Sequence, residues 1–105
     1  MKFNRWDIWW AYVKYEESNI EKRRPIVVID DRTAFVLGLF VTSASPRPQY
    51  DDYIIQDWEE AGLSKPSTIK LSRRLRLDKD KLISRIGEMS ERDKLIRAMR
   101  AQMRL

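Results

Sequence analysis

Histidine and cysteine are both absent from this 105-residue sequence, so any catalysis must run on Arg, Lys, Thr, Ser, Tyr or carboxylates. Their absence removes thiol nucleophiles, disulfide frameworks and the usual structural zinc sites, and with them the commonest general base. A magnesium ion held by carboxylates would be the remaining metal chemistry. The acidic pairs Asp30/Asp31 and Asp51/Asp52 are where it would sit. Adjacent residues on an extended chain point to opposite faces, so both pairs read as turn-forming or solvated acids, and no metal and no cofactor is expected. There is no GxxxxGK loop and no GxGxxG, which leaves nucleotide and dinucleotide chemistry without support.

Positive charge is the second chemical resource, and it is unevenly laid out. Residues 1–63 carry 8 Lys and Arg against 11 Asp and Glu, whereas residues 64–105 carry 13 against 5. A basic half of this kind points to a polyanion or an acidic protein as partner, without choosing among RNA, DNA and an acidic peptide. The length allows one domain, residues 1–105. Hydrophobic residues at 43% and charged residues at 35% exclude a disordered or low-complexity chain. No apolar run reaches the roughly 18 residues of a membrane span. The opening MKFNRWDIWW is broken by Asn4, Arg5 and Asp7, unlike a secretory signal. A cytoplasmic protein with no membrane partner is expected.

The elements that must position these groups are mostly strands. Residues 7–15, DIWWAYVKY, are aromatic and β-branched with bulk on both alternating faces, which predicts a strand covered on both sides. The polar run Glu16 to Arg24 reads as a long, mobile hairpin loop ending at Pro25. PIVVI (Pro25–Ile29) and AFVLGLFV (Ala34–Val41) predict a central hairpin, with Asp30 to Thr33 as its turn. SPRPQ breaks the sheet, DYII reads as a short strand, and DWEEAGL as one helical turn closed by Gly62. STIKL and RLRL resume alternation. Ser90 with Asp93 forms a capping box, followed by a helix whose Leu95, Ile96, Met99 and Met103 share a face that is core or dimer contact. Five or six short strands and a terminal helix predict a mainly β fold, a small and strongly bent barrel.

The segments DIWW (Asp7 to Trp10), RRPIVVI (Arg23 to Ile29), VTS (Val41 to Ser43), DWEEAGL (Asp57 to Leu63), KPS (Lys65 to Ser67) and IGEMSERD (Ile86 to Asp93), in this order, resemble the MazF/PemK family of toxin-antitoxin ribonucleases. Asp7 to Trp10 (DIWW) resemble the opening GD-[IV]-[WY] strand, Arg23 to Ile29 (RRPIVVI) the RRPxxVI strand, and Val41 to Ser43 (VTS) the [IV]-T-S strand end. Asp57 to Leu63 (DWEEAGL), Lys65 to Ser67 (KPS) and Ile86 to Asp93 (IGEMSERD) are similar to the closing half of one subgroup. Trp6 stands where the family usually has Gly, and the first loop lacks the usual glycines. The resemblance implies an SH3-like β-barrel of the MazF/PemK/CcdB type with a C-terminal helix, a homodimer, and sequence-selective, metal-independent cleavage of single-stranded RNA to 2′,3′-cyclic phosphate and 5′-hydroxyl ends. It also implies an acidic antitoxin whose tail blocks the RNA groove, and it carries the catalytic roles onto Arg24 and Thr42.

Elementary chemistry is compatible with that assignment. RNA can be cleaved by attack of its own 2′-hydroxyl on the adjacent phosphate, so the protein need supply only in-line positioning, proton handling and charge stabilisation. The Arg24 guanidinium is a permanently charged fork that fits phosphate oxygens. A guanidinium holds its proton too firmly to be a good general base, and an acid or base role for Arg24 rests on the family alone. Thr42 can hydrogen-bond the phosphate or orient the hydroxyl, with Ser43 assisting. Lys14, Lys22, Arg23, Lys70, Arg73, Arg74 and Arg76 are candidates for RNA phosphate contacts. Tyr15 is the candidate for stacking on a base, whereas Trp9, Trp10 and Trp58 read as core. The alternatives are a CcdB-like barrel that inhibits a protein such as DNA gyrase, against which the RRP and TS motifs argue, and an RNA-binding barrel without cleavage.

Overall fold

In the computed structural model, which describes residues 2–14, 19–43 and 52–95, six strands form one antiparallel sheet. They are β1 (Asp7–Lys14), β2 (Glu21–Asp31), β3 (Val36–Thr42), β4 (Asp52–Ile54), β5 (Thr68–Leu77) and β6 (Leu82–Glu88), in the order β4-β5-β3-β2-β1-β6. A helix begins at residue 91, its described part spanning 91–95. The apolar runs of the central hairpin are continuous because both faces of the sheet are covered. Ile8, Val27, Leu39, Val41 and Ile69 enter one core cluster, while Trp9, Val13, Ile26, Val28 and Phe40 enter the other.

The outer strands β4 and β6 are joined by packing of the segment that follows β4 rather than by a ladder. The turn over 56–62 ends in paired backbone bonds, Leu63 N–H to the Trp58 carbonyl and Gly62 N–H to that of Glu59, each 3.0 Å. Gly62 takes φ +93°, the left-handed conformation this helical ending requires. Its neighbour Ala61 lies so close to Gly87 on β6 that a Cβ at Gly87 would overlap the Ala61 carbonyl oxygen. Ser90 caps the terminal helix, its hydroxyl accepting from Asp93 N–H at 3.2 Å. The Asp93 carboxylate stays beside the cap, its Oδ2 3.2 Å from the Ser90 hydroxyl, and reaches beyond it. Fully buried, it accepts the Tyr53 hydroxyl at 2.5 Å and the N–H groups of Gln56 and Asp57 at 2.9 and 3.0 Å. Asp57 in turn accepts the Ser90 hydroxyl and pairs with Arg92 at 2.6 Å.

The Ser90 hydroxyl first, and then the Arg92 guanidinium, hold the Asp57 carboxyl below its ordinary pKa of 3.8. A group whose folded-state pKa is depressed stabilises the fold above its unfolded value, and that contribution is lost as pH falls through the folded value. Thermal melts of the wild type should therefore lose stability progressively below about pH 4. Asp57→Asn should be less stable than wild type at neutral pH and lose less on acidification; equal acid sensitivity of the two would count against this link.

Several expectations are corrected. The last part of the polar run is strand rather than loop, because β2 begins at Glu21 and pairs Glu21, Lys22, Arg23 and Arg24 with Lys14, Val13, Tyr12 and Ala11 of β1; Glu16, Glu17 and Ser18 lie outside the described residues. Backbone pairing to an existing strand extends the ribbon there without demanding apolar side chains. Asp30 and Asp31 are strand residues and the turn lies beyond them, closed by Arg32 N–H to the Phe35 carbonyl at 2.9 Å. STIKL and RLRL are one strand, irregular between the pairings Phe40↔Lys70 and Leu39↔Arg74. Strand β6 was not anticipated, because exposed Ile83, Ser84 and Arg85 dilute its apolar signal. Cover on both faces of β1 fails at its far end, where Tyr12 and Lys14 are exposed. Leu95 is 63% exposed, and Ile96, Met99, Met103 and SPRPQ lie outside the described residues.

Trp6 has φ 75°, a backbone conformation that glycine enters without penalty and that costs other residues about 1–2 kcal/mol. Two backbone bonds hold it there: its N–H to the Val28 carbonyl at 2.7 Å, and Met89 N–H to its own carbonyl at 3.0 Å. Backbone bonds to β2 and to the segment after β6 thus fix the opening turn on both sides of Trp6.

Candidate functional site

The end of the central hairpin forms the wall of a cleft. In the β2–β3 ladder Ile26 pairs with Phe40 and Val28 with Gly38. Carried two residues further, that register sets Arg24 across from Thr42. Both are half-buried, and both line a cleft of about 260 Å³ together with Ser43. Pro25, with no N–H to donate and φ fixed by its ring, lies between Arg24 and the buried Ile26 and opposite Trp10 of β1. The strand that carries Arg24 is thereby anchored one residue from the cleft by core packing.

The other wall comes from the segment after the 56–62 turn: Gly62, Leu63, Ser64, Lys65 and Ser67 border the cleft, as does Ile86 of β6. Ser67 fixes its shape by donating its hydroxyl to the Lys65 carbonyl at 2.9 Å, while its own carbonyl accepts Ile55 N–H at 3.0 Å. Arg23 lies over Trp10, its guanidinium carbon 4.6 Å from the centre of the ring. Among the described residues the lining holds three cations, Arg23, Arg24 and Lys65, and no carboxylate. With hydroxyls from Thr42, Ser43, Ser64 and Ser67 beside them, such a cleft suits an anion with several oxygen acceptors.

The remaining candidates do not converge on this cleft. Lys14 and Lys22 are exposed at the outer end of the β1–β2 ribbon. Lys70 pairs with the buried Asp52 carboxylate at 3.4 Å, a structural contact between β4 and β5. Arg73 lies 4.5 Å over the Phe40 ring and Arg76 3.8 Å over that of Phe35. Arg74 borders a separate groove with Lys2, Arg5 and Trp6. Tyr15 and Asp51 fall outside the described residues. Asp30 and Asp31 are engaged by Arg32 and Lys79, and among the described residues no three acidic side chains gather as metal ligands. Sequence reasoning missed Lys65 and the exposed flank of Trp10. The KPS motif was the available signal for Lys65, whereas Trp10 was indistinguishable from core.

No helix among the described residues is long and apolar enough to cross a membrane. No curated protein matches the chain. Residues 4–101 match the family model of PemK-like, MazF-like toxins of type II toxin-antitoxin systems, the same family whose strand motifs converge on the Arg24–Thr42 cleft, and the chain belongs to that family.

Proposed function

We propose that this toxin is a metal-independent endoribonuclease that cleaves single-stranded RNA in the Arg24–Thr42 cleft. The observation that carries the reading is the facing placement of Arg24 and Thr42 in a cleft that, among the described residues, is lined by three cations and no acid. Membership in a type II toxin family implies an antitoxin partner. The basic cleft supports an acidic antitoxin segment competing with RNA for it, and the family supports a homodimer acting in the cytoplasm.

In the proposed reaction the 2′-hydroxyl of the substrate attacks the adjacent phosphorus and the 5′-oxygen leaves, giving a 2′,3′-cyclic phosphate and a 5′-hydroxyl. Negative charge grows on the non-bridging oxygens, and the Arg24 fork meets them with two N–H donors. Thr42 orients the attacking hydroxyl or donates to the phosphate, and Arg23 and Lys65 hold flanking phosphates. The proton leaving the 2′-oxygen and the proton gained by the 5′-oxygen can both be exchanged with water, so no metal ligand is required. Purified protein incubated with single-stranded RNA in excess EDTA is expected to cut at full rate. A strict requirement for added magnesium would overturn the metal-independent reading. Equilibrium binding of RNA should fall steeply with salt, in proportion to the phosphates neutralised.

A further inference from the structure

The cleft has an aromatic extension along β1 that the catalytic assignment does not use. Trp10 and Tyr12 are two residues apart on one strand, so their rings rise from the same face of the sheet, about 7 Å apart along the chain. Trp10 lines the cleft, and Tyr12, beyond it, is 45% exposed. Arg23 connects the two, lying over the Trp10 ring while pairing across the ribbon with Tyr12.

The surroundings of Tyr12 are cationic. Arg23, across the ladder from Tyr12, and Lys14, two residues further along β1, share its face of the ribbon, and among the described residues Glu21, opposite Lys14, is paired with Lys81 at 2.9 Å. A second copy of the chain would bring the same positive ribbon against itself, whereas a polyanion with flat bases satisfies both the charge and the ring. An exposed aromatic ring bordered by cations, two residues along the strand from a basic cleft, is the arrangement by which single strands are bound with little sequence demand.

We propose that Tyr12 is a base-stacking residue for the single-stranded substrate, holding a nucleotide next to the one seated at the Arg24–Thr42 cleft. This rests on the RNA-cleaving reading above and adds a binding position to it. Stacking needs the ring and not the hydroxyl, so the two parts of the side chain give different expectations.

The test is anisotropy titration of a fluorescein-labelled, fully 2′-O-methylated RNA of mixed sequence, which binds without being cut. Tyr12→Ala should weaken binding about ten-fold, and Tyr12→Phe should stay within about two-fold of wild type. Both variants should keep the wild-type dependence on salt, because no phosphate contact is removed. A series of RNAs each lacking one base should contain one position whose base matters to wild type and not to Tyr12→Ala. If wild type binds and Tyr12→Ala binds equally well to every member of the series, the proposal is overturned while the RNA reading survives. Loss of a dimer by Tyr12→Ala in sedimentation would overturn it in favour of a subunit contact. Failure of wild type to bind any RNA would overturn both.

Discussion

Arg24→Ala is expected to lower RNA cleavage by about two to three orders of magnitude, the loss of roughly 3–4 kcal/mol seen when one well-placed donor to a developing oxyanion is removed. The side chain is half-buried at the cleft end of β2, and the apolar anchors of that strand, Ile26, Val27 and Val28, are untouched by the change. Circular dichroism and the melting temperature should therefore remain close to wild type. Arg24→Lys should recover little, since an ammonium cannot present two parallel N–H donors to a phosphate. Thr42→Val keeps a β-branched strand residue of similar shape and should still lose most activity, which separates the hydroxyl from the fold. The measurement is single-turnover cleavage of a defined RNA by each folded variant. Activity of Arg24→Ala within a few-fold of wild type would remove Arg24 from the mechanism.

The largest expected effect on stability lies at Asp93. Its carboxylate accepts from Tyr53, Gln56 and Asp57 in the buried junction between the segment after β4 and the terminal helix. Asp93→Ala leaves these donors without their acceptor, at about 1–3 kcal/mol for each buried group that water does not reach. A loss of roughly 3–5 kcal/mol follows, a large share of the 5–15 kcal/mol that holds a small domain together. Urea unfolding should show the midpoint falling sharply. Tyr53→Phe removes one donor along with its hydrogen bond and should cost only about 1 kcal/mol. Equal stability of Asp93→Ala and wild type would show that the junction is not held by this carboxylate.

These two residues differ in how visible they are before the fold is known. Arg24 and Thr42 sit in short motifs bordering continuous apolar runs, and pairing those runs as a hairpin already sets them near each other. The helical turn closed by Gly62 and the Ser90 cap are equally local, each contained within a few residues. Asp93 is legible as the cap partner of Ser90, which its N–H meets, but not as the acceptor for Tyr53, Gln56 and Asp57, 36 to 40 positions away. Strand β6 escaped notice for a related reason. Its Leu82 is buried but its middle is exposed, and the backbone partner that makes it a strand is β1. The arginines of β5 were legible as charge but not as direction. An irregularity in the strand places Arg73 over Phe40 while Arg74 and Arg76 face other surfaces.

The membership of the chain and its fold stand independently of catalysis, whereas the Arg24–Thr42 cleft has chemical meaning only if the substrate supplies its own nucleophile. A single 2′-deoxy substitution at the cleaved position of an otherwise all-ribose RNA tests that directly, with the ends mapped and EDTA present throughout. The account predicts that the all-ribose strand yields a 2′,3′-cyclic phosphate and a 5′-hydroxyl, and that the substituted strand is bound but not cut at that position. Cleavage of the substituted strand at the same bond, or products ending in a 5′-phosphate, would contradict it.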